Sequence, residues 1–268
     1  MPGGVGQYLS TVEKVSLPRK AINAASIDSL AGSSIDLLNH GVNDILLEKP
    51  GALNKEEFNK LHAVSKQKSA NVYIAYNRRF YASTLAAQKM IDEDGGVSSF
   101  NFDFTEWAHK IEKLGLGEQV LSSWLIANSS HVIDMAFFLG GKPRELSCYA
   151  GGNIQWHQQG SKFYGAGISE TGAPFSYQAD WTSAGRWAVN IMTPKRKLIF
   201  CPLEGLSVME KGSVAVRELS LDNKLDIEFK PGLYKQVESF LRTDRVRLCH
   251  IDDQVEIFVF CQKISRSI

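Results

Sequence analysis

Short apolar runs alternate with helically spaced apolar residues over the first third of the chain. The segments Lys20–Ser26 (KAINAAS), Asp44–Lys49 (DILLEK) and Asn71–Asn77 (NVYIAYN) are short, apolar and bounded by polar or turn-forming residues, which is the pattern of buried strands. Between them, apolar residues recur three or four positions apart, the spacing of one face of a helix. The order strand, helix, strand, helix, strand predicts parallel strands joined by crossovers.

The helices in this alternation carry end signals. The first begins near Ile27 and ends at Asn39–Gly41, a sequence suited to a left-handed cap. The second begins after Asn54, which is suited to be its N-cap. Glu57 lies three positions later, where its side chain can bond back to the helix start as in a capping box. A further helix, Ser83–Glu93, completes what we interpret as half of a doubly wound sheet.

After Gly96 the apolar period changes from about 3.6 residues towards about 2. Aromatic and aliphatic residues alternate with polar ones in 100–104, 175–181 and 187–191. Such alternation is typical of strands with one buried face. This half of the sequence therefore predicts an antiparallel sheet built largely from consecutive hairpins.

Helical spacing returns in Ser130–Leu139 and in 232–241 (GLYKQVESFL). The segment 252–264 is ambiguous, because its paired aspartates suggest a helix start while its β-branched and aromatic residues suggest a strand. We predict an α/β protein in which residues 1–80 form a partial Rossmann (doubly wound parallel) nucleotide-binding domain. Residues 81–268 are predicted to form an α+β domain with an open, mostly antiparallel sheet, whose C-terminal helices can pack back on the first domain.

Composition mainly excludes classes of protein. The 268 residues are 44% hydrophobic, and 30 basic side chains balance 29 acidic ones, so the chain lacks the positive charge of a general nucleic-acid binder. Four cysteines and six histidines are too scattered for a disulfide scaffold or a metal site. No apolar run approaches the ~18 residues of a membrane span, and the start lacks the features of a signal peptide. We expect a cytoplasmic protein that binds no metal.

Lys49 ends the second predicted strand, within ILLEKPGAL. Ligand crevices in parallel sheets lie outside the carboxyl ends of the strands, where Ser26, Lys49 and Asn77 all fall. A lysine there offers three hydrogen-bond donors to a ribose or a substrate hydroxyl. Pro50 restricts the backbone before it, and a cis bond at that point would fix the direction of the lysine side chain. The alternative is a surface charge pair ahead of a loop.

His131 lies in SSHVIDMAFFLGG, a helix that is apolar on nearly every side. A buried imidazole needs polar partners, and near neutral pH it can accept a proton from a hydroxyl. The alternative is a core histidine, bonded for example to Asp134 one turn further on.

Three other patterns leave alternatives open. Arg78 and Arg79, just past a strand end in YNRRF, suit phosphate or carboxylate recognition and equally suit plain solvation. The glycines of Gly3–Gly6 have no strand before them, and Leu9 stands where a complete dinucleotide fingerprint has its last glycine. The alternating aromatic residues could stack single-stranded nucleic acid, but the neutral charge favours core packing.

The segments ILLEKPGAL, YNRRF and SSHVIDMAFFLGG, in this order and spacing, resemble the motifs of the glucose-fructose oxidoreductase/inositol dehydrogenase/rhizopine-catabolism (Gfo/Idh/MocA) family. The resemblance runs from about Lys20 to the C-terminus. It implies a Rossmann domain and an open antiparallel sheet that carries the sugar site and mediates homodimers or homotetramers. It also implies an enzyme of carbohydrate metabolism that transfers a hydride between a sugar, cyclitol or sugar-nucleotide hydroxyl and the nicotinamide of NAD or NADP.

The resemblance assigns roles to residues of this sequence. Lys49 corresponds to the lysine of the Glu-Lys-Pro motif, and His131 corresponds to the histidine that accepts the hydroxyl proton, so both are predicted to be catalytic and to converge on one crevice. The implied cofactor-binding residues are Ala24, Ala25, Ser26, Glu48, Lys49, Pro50 and Asn77. The implied substrate-binding residues are Tyr76, Arg78, Arg79, Asn128 and His131.

The sequence departs from the family's pattern in three places. Ser122-Ser123 replace two glycines and Ala127 replaces an aspartate ahead of the histidine, so a carboxylate is missing that Asn128 can partly replace. Leu30 stands where many members have a histidine near the cofactor. Relative to the family, we expect at least two βα units to be missing ahead of Lys20, roughly 60 residues or more at ~30 per unit. Without their glycine loop, cofactor binding is expected to be impaired.

Two other functions are compatible with the same residues. A non-catalytic relative would keep the sheet as a sugar-binding or oligomerising surface, and Ala127 together with the missing glycine loop favours it. A glycosidase that uses bound nicotinamide transiently is the other possibility.

Overall fold

The computed structural model describes residues 18–242 and 244–265, so Gly3–Gly6 and Leu9 lie outside the described residues. The strands are β1 (Lys20–Asn23), β2 (Asp44–Leu47), β3 (Asn71–Ile74), β4 (Ser99–Asp103), β5 (Pro143–Gly151), β6 (Lys162–Ser169), β7 (Pro174–Asp180), β8 (Ala188–Met192), β9 (Arg196–Phe200), β10 (Ser207–Glu210), β11 (Val216–Glu218) and β12 (Cys249–His250). The helices are α1 (Leu30–Asn39), α2 (Lys55–Gln67), α3 (Ala82–Asp94), α4 (Ala108–Ile111), α5 (Glu118–Ser122), α6 (Ser130–Gly140), α7 (Lys224–Glu228), α8 (Leu233–Arg242) and α9 (Ile251–Ile264). A 3-10 turn (Asn77–Phe80) precedes α3, and a π-helical turn (Leu125–Ser129) precedes α6.

The chain forms two compact units. Unit 1 ends at Ala75 and also includes Leu248–Val255, and unit 2 comprises Tyr76–Arg247 and the chain from Glu256. Among the described residues, unit 1 contains a sheet of order β1-β2-β3-β12, and unit 2 contains a sheet of order β11-β10-β9-β8-β4-β7-β6-β5. The predicted fold class, a Rossmann-like parallel sheet followed by a larger and mostly antiparallel sheet, is confirmed.

Unit 1 is built on three parallel strands. Asn23, Leu47 and Ile74 lie side by side at their carboxyl ends, and β12 adds an antiparallel edge to β3. The apolar residues of β2 are at most 2% exposed, because the central strand of a parallel sheet is covered on both faces. The strand predicted for Lys20–Ser26 is shorter than expected and ends at Asn23.

The start of α2 follows the predicted capping pattern. The side chain of Asn54 accepts a hydrogen bond from the backbone N–H of Glu57 at 2.9 Å. In return, Glu57 accepts from the backbone N–H of Leu53 at 3.3 Å. Leu53 and Phe58 are both buried, as a hydrophobic staple requires. The N-cap prediction is confirmed.

A charged cluster in unit 1 links α2 to the start of α9. Asp252 accepts from Lys66 Nζ at 2.7 Å and lies 2.6 Å from His62 Nε2. The hydrogen bond from Lys66, followed by that from His62, lowers the pKa of Asp252 to about 2. Because the folded pKa lies below its ordinary value, the cluster stabilises the fold above about pH 4 and loses that contribution as the pH falls towards 2.

We expect Asp252→Asn to lower the free energy of unfolding by less than about 1 kcal/mol at pH 7, because Asp252 is about half exposed and solvent screens the cluster. The difference between the variant and the unmodified chain should shrink below pH 4. Thermal unfolding followed by circular dichroism at pH 7 and pH 3 measures it. A difference that grows on acidification would contradict this assignment.

The sheet of unit 2 has β4 at its centre. The strand pairs antiparallel with β8 and parallel with β7, while the other strand pairs in this sheet are antiparallel. Consecutive strands pair as hairpins within β5–β7 and within β8–β11. Because β4 lies between β7 and β8, the strands 175–181 and 187–191 do not pair with each other as consecutive hairpin strands would. The parallel pairing of β4 with β7 was not predicted.

The alternating aromatic residues form the core of unit 2. The ring of Phe137, on α6, contacts Phe102 at 5.5 Å and Phe260 at 4.8 Å between centroids. Tyr177 lies 5.4 Å from Phe260. These rings are buried. The alternating aromatic residues therefore form core packing, which the neutral charge of the chain favoured over a surface that stacks nucleic-acid bases.

Other elements differ from the sequence prediction. The ambiguous C-terminal segment is helical, and strands β5 and β6 were not predicted. The helix over 232–241 is present as α8, yet Leu233 and Leu241, two of its helically spaced apolar residues, are 40% and 55% exposed. Of the helices that the structure describes, none combines the length and the apolarity that crossing a bilayer would require.

Candidate functional site

Two loops meet at the carboxyl edge of the unit 1 sheet. Asn23 and Leu47 are register partners, and the N–H of Glu48 donates to the carbonyl of Asn23 at 2.8 Å. The loop that starts at Ala24 therefore begins beside the loop that starts at Glu48. This edge is where parallel α/β sheets bind their ligands.

Asn23 organises the first of these loops, and it was not predicted. Its amide donates to the hydroxyls of Ser33 and Ser34 at 2.8 and 2.9 Å. Its carbonyl oxygen accepts from the N–H of Ala25 at 3.2 Å. Asn23 is buried, so these bonds fix the loop Ala24–Ser26 against the start of α1. The sequence feature that could have indicated this role is an amide side chain at the end of an apolar strand.

Lys49 lies in a tight turn at the end of β2. The N–H of Gly51 donates to the carbonyl of Glu48 at 3.1 Å, and the Lys49–Pro50 peptide bond is cis. The buried amide of Gln254 donates to the carbonyl of Pro50 at 3.0 Å. Gly51 has a φ of +87°, and a Cβ there would lie 2.9 Å from a side-chain carbon of Ile74, so a larger residue would disturb the turn. The lysine side chain is half-buried.

His131 lies among aromatic side chains in unit 2. It is the second residue of α6, directly after the π-helical turn, and it is 9% exposed. Its ring lies 6.0 Å from Tyr76 in an edge-on arrangement and 6.2 Å from Trp187. Tyr76 and Trp187 are themselves buried, so the prediction that His131 is buried is confirmed.

Glu106 supplies a buried carboxylate next to this turn, and it was not predicted. One oxygen accepts from Asn128 Nδ2 at 2.9 Å and from Ser129 Oγ at 2.8 Å. The other accepts from Arg186 at 3.2 Å. Burial raises the pKa of Glu106, although hydrogen bonds from Ser129 and the charge of Arg186 oppose that rise. A carboxylate thus reaches the two residues that follow Ala127, where the expected aspartate is missing.

Two arginines contact the ring of Trp187. The guanidinium carbon of Arg78 lies 4.9 Å from the ring centroid and that of Arg186 lies 4.5 Å from it, which are cation–π distances. Arg186 also lies 4.9 Å from the ring of Trp107. We refer to the following residues as the His131 cluster: His131, Tyr76, Trp187, Arg78, Arg186, Glu106 and Asn128.

Arg79 and Asn77 are engaged elsewhere in unit 2. Arg79 donates to both carboxylate oxygens of Asp134, with Nε–Oδ2 at 2.9 Å and Nη2–Oδ1 at 2.6 Å. The amide of Asn77 donates to the carbonyl of Pro231 at 2.9 Å. Of the predicted site residues, the structure thus gathers Ala24–Ser26 with Glu48–Pro50 in unit 1. In unit 2 it gathers Tyr76, Arg78, Asn128 and His131.

The convergence of Lys49 with His131 stays a prediction, because each residue belongs to a different unit. Within the described residues, no group of three or more histidine, cysteine, aspartate or glutamate side chains could hold a metal ion. The roles assigned to the individual site residues likewise stay predictions.

Comparison with known proteins gives a likeness of fold. No family model and no curated protein matches the sequence. An oxidoreductase from Pseudomonas syringae is similar with a TM-score of 0.74 and 16% identity, over 98% of this chain and 80% of that one. An inositol dehydrogenase homolog from Azotobacter vinelandii, in complex with NADH and myo-inositol, is similar with a TM-score of 0.72 and 16% identity, over 97% of this chain and 78% of that one.

A protein that is named as a repressor, and not as an oxidoreductase, is also similar in fold. The super-repressor mutant of Gal80p from Saccharomyces cerevisiae is similar with a TM-score of 0.72 and 11% identity, over 98% of this chain and 85% of that one. At such identities the likeness establishes the fold alone.

Proposed function

We propose that this chain, which has the fold of the Gfo/Idh/MocA-type oxidoreductases, is an NAD- or NADP-dependent oxidoreductase. The substrate in this proposal is a sugar, cyclitol or sugar nucleotide, one hydroxyl of which exchanges a hydride with the nicotinamide. One observation carries the proposal: within this fold, Lys49 follows the second parallel strand and His131 lies in a buried aromatic cluster. These are the positions that the family's motifs imply for the ribose-contacting lysine and the proton acceptor.

The loops after β1 and β2 fit a nicotinamide cofactor. Ala24 and Ser26 are exposed and Ala25 is half-buried, with short side chains that leave room for a ligand, and Ser26 and Lys49 add donors suited to ribose hydroxyls and phosphates. We assign Ala24–Ser26 and Glu48–Pro50 to the cofactor. The bound nicotinamide ring would supply the hydride chemistry.

His131 is assigned to accept the proton of the reacting hydroxyl. Loss of that proton accompanies conversion of the hydroxyl into a carbonyl, and an imidazole nitrogen is suited to receive it. Tyr76 and Trp187 pack against the imidazole and limit its access to water. Glu106 acts as a positioning residue, because its hydrogen bonds to Asn128 and Ser129 hold the turn from which α6 begins.

Asn77 and Arg79 have narrower roles in this proposal. The side-chain amide of Asn77 donates to the carbonyl of Pro231, so we do not assign this amide to the cofactor. The donors of Arg79 are directed to Asp134, so we assign Arg79 to holding α6 and leave substrate contacts to Tyr76, Arg78 and Asn128.

Titration of the chain with NADH and with NADPH tests the proposal. We expect saturable binding, seen as a change in nicotinamide fluorescence. Lys49→Ala should weaken it about tenfold or more, because a charge-assisted hydrogen bond to the cofactor is lost.

Lys60→Ala is the matched control, because Lys60 lies exposed on α2 and pairs with Glu56 on the same helix. That variant should bind the cofactor as the unmodified chain does. Absence of saturable binding of either cofactor at millimolar concentration would refute the proposal, as would equal effects of the two lysine variants.

The outer face of the unit 2 sheet is our proposed surface for homodimers or homotetramers. Its side chains pair across strands, with Asn190 donating to Asn101 at 2.9 Å and Gln178 donating to Asp103 at 2.9 Å. These four side chains are at least partly exposed, so the described residues leave this face available for contact with a second copy, as the family resemblance implies. Sedimentation of the chain as a monomer at micromolar concentration would contradict this assembly.

A non-catalytic role is the second candidate. Ala127 stands in place of the family's aspartate, and a protein named as a repressor shares the fold. In this reading the chain would form a stable oligomer and bind a sugar without turning it over. A stable oligomer that is inactive with a broad panel of polyols and sugars, in the presence of either cofactor, would select it.

A further inference from the structure

We propose that the substrate carries a carboxylate or phosphate group, and that the guanidiniums of Arg78 and Arg186 bind this group beside Trp187. This inference rests on the proposed function, since it names the substrate class of the same site. Its basis is an excess of positive charge and of hydrogen-bond donors in the His131 cluster.

The charges of the cluster do not balance. Arg78 and Arg186 both contact Trp187, while Glu106 is the buried carboxylate next to them. Glu106 forms an ion pair with Arg186 at 3.2 Å. In the described part of the chain, no carboxylate lies within ion-pair distance of Arg78, and the carboxylate that attracts it most is Glu204, an exposed residue. One guanidinium therefore lacks a counter-ion.

Arg78 is held where an ion pair would be strong. Arg78 is half-buried and its Nε is fully buried. Burial is the main cause that lowers its pKa, and a guanidinium partly removed from water gains more from an anion than an exposed one does. Its Nη1 makes one long contact, 3.4 Å, with the side-chain oxygen of Asn77. The planar group remains able to present two parallel donors to an oxyanion.

Buried donors without acceptors mark the same place. Arg78 Nε and Trp187 Nε1 are both buried, and the described residues offer neither of them a hydrogen-bond acceptor. A buried donor without an acceptor costs free energy. Carboxylate and phosphate groups are rich in acceptors, so either would satisfy donors that a neutral hydroxyl serves less well.

Arg79, the other arginine of YNRRF, does not share this role. Its donors are directed to Asp134, and its guanidinium packs 4.7 Å from the ring of Phe138. Arg186 has one described hydrogen bond, to Glu106, and its side chain is 46% exposed. It can thus contact a ligand while it keeps Glu106 neutralised.

The anion site lies close to the proposed proton acceptor. Arg78 and His131 both pack against Trp187. The guanidinium carbon of Arg78 lies 4.9 Å from the ring centroid of Trp187, and the ring centroid of His131 lies 6.2 Å from that of Trp187. We therefore assign both groups to one bound molecule. A sugar acid or sugar phosphate would then be held by its charged end while a hydroxyl lies at the imidazole.

Calorimetric titration of the full chain with D-glucuronate, D-glucose 6-phosphate and D-glucose tests this inference, both without and with saturating NADH. We expect at least one anionic sugar to bind about tenfold or more tightly than glucose. Arg78→Met should remove that difference, and Arg78→Lys should restore part of it, because the charge returns without the planar fork. Preference for glucuronate alone assigns a carboxylate, and preference for glucose 6-phosphate alone assigns a phosphate.

Arg217→Met is the matched control, since Arg217 is exposed on β11 and pairs with Glu210. It should leave the preference for the anionic sugar intact. Equal affinity for charged and neutral sugars, no binding of either anionic sugar, or a preference that survives Arg78→Met would each overturn the inference.

The inference and the proposed function fail separately. Saturable NADH binding together with turnover of neutral polyols alone would retain the oxidoreductase and remove the anion site. Binding of an anionic sugar that depends on Arg78, in a chain that binds neither NADH nor NADPH, would retain the anion site and remove the oxidoreductase.

Discussion

Asp134→Ala is expected to lower the free energy of unfolding of unit 2 by about 3–5 kcal/mol. The carboxylate of Asp134 is fully buried, and both of its oxygens accept from Arg79, whose side chain is 10% exposed. Removing the carboxylate leaves a buried guanidinium without its counter-ion, which costs more than the pair itself contributes. All five tryptophans lie between residues 107 and 187, so urea unfolding followed by tryptophan fluorescence reports on unit 2.

Two further variants separate the buried charge from a general effect of mutation. Glu210→Ala breaks the exposed pair with Arg217 and should cost less than about 1 kcal/mol. Replacing both buried partners, with Arg79→Met and Asp134→Leu together, should recover most of the loss, because no unpaired charge is left inside. A loss for Asp134→Ala no larger than that for Glu210→Ala would show that the ion pair is not buried in solution.

The features that sequence predicted well have local causes. The cap of α2 depends on Asn54 and Glu57, three residues apart, and both hydrogen bonds are present. The parallel sheet of unit 1 follows from short apolar runs separated by helices of adequate length. The burial of His131 follows from the apolar residues around it on α6. For the cap and for His131 the deciding residues lie within one or two turns of each other, and each strand and helix of unit 1 is signalled by its own run of residues.

The features that sequence missed depend on distant residues. From its neighbours in sequence, Glu106 is only a polar residue after a strand. Its burial depends on Asn128, Ser129 and Arg186, which are at least 22 positions away. Arg186 follows a turn and gains its position from Trp107 and Trp187. No short-range pattern distinguishes such residues from surface charges, so the excess of donors in the cluster became visible only with the fold.

Strand β6 was missed for a different reason. Glycines at 165 and 167 interrupt the alternation on which the strand prediction relied. Both are required, because a Cβ at Gly165 would lie 2.6 Å from the carbonyl oxygen of Ser147, and one at Gly167 would lie 2.7 Å from the ring of Phe175. Close approach of neighbouring backbones and rings therefore removed the side chains that would have signalled a strand.

His131→Ala is expected to lower kcat by about 10²–10⁴ while NADH binding stays within about threefold of the unmodified chain. The imidazole is the group that we assign to receive the proton of the hydroxyl, so its loss should act on the chemical step. It packs against Tyr76 and Trp187, and we assign the cofactor to other residues, Ala24–Ser26 and Glu48–Pro50. Initial rates of NADH formation with the sugar acid or phosphate preferred in the calorimetric titration measure kcat, and nicotinamide fluorescence measures binding.

The matched control is His109→Ala, which removes an exposed imidazole from α4 in the same unit. Its kcat should equal that of the unmodified chain. A structural role for His131 would instead reduce stability and cofactor binding together, and tryptophan-detected unfolding of the variant would reveal it. If His131→Ala retained kcat within about threefold, the proton would have to leave through another group, and the catalytic role that we assign to the His131 cluster would be wrong.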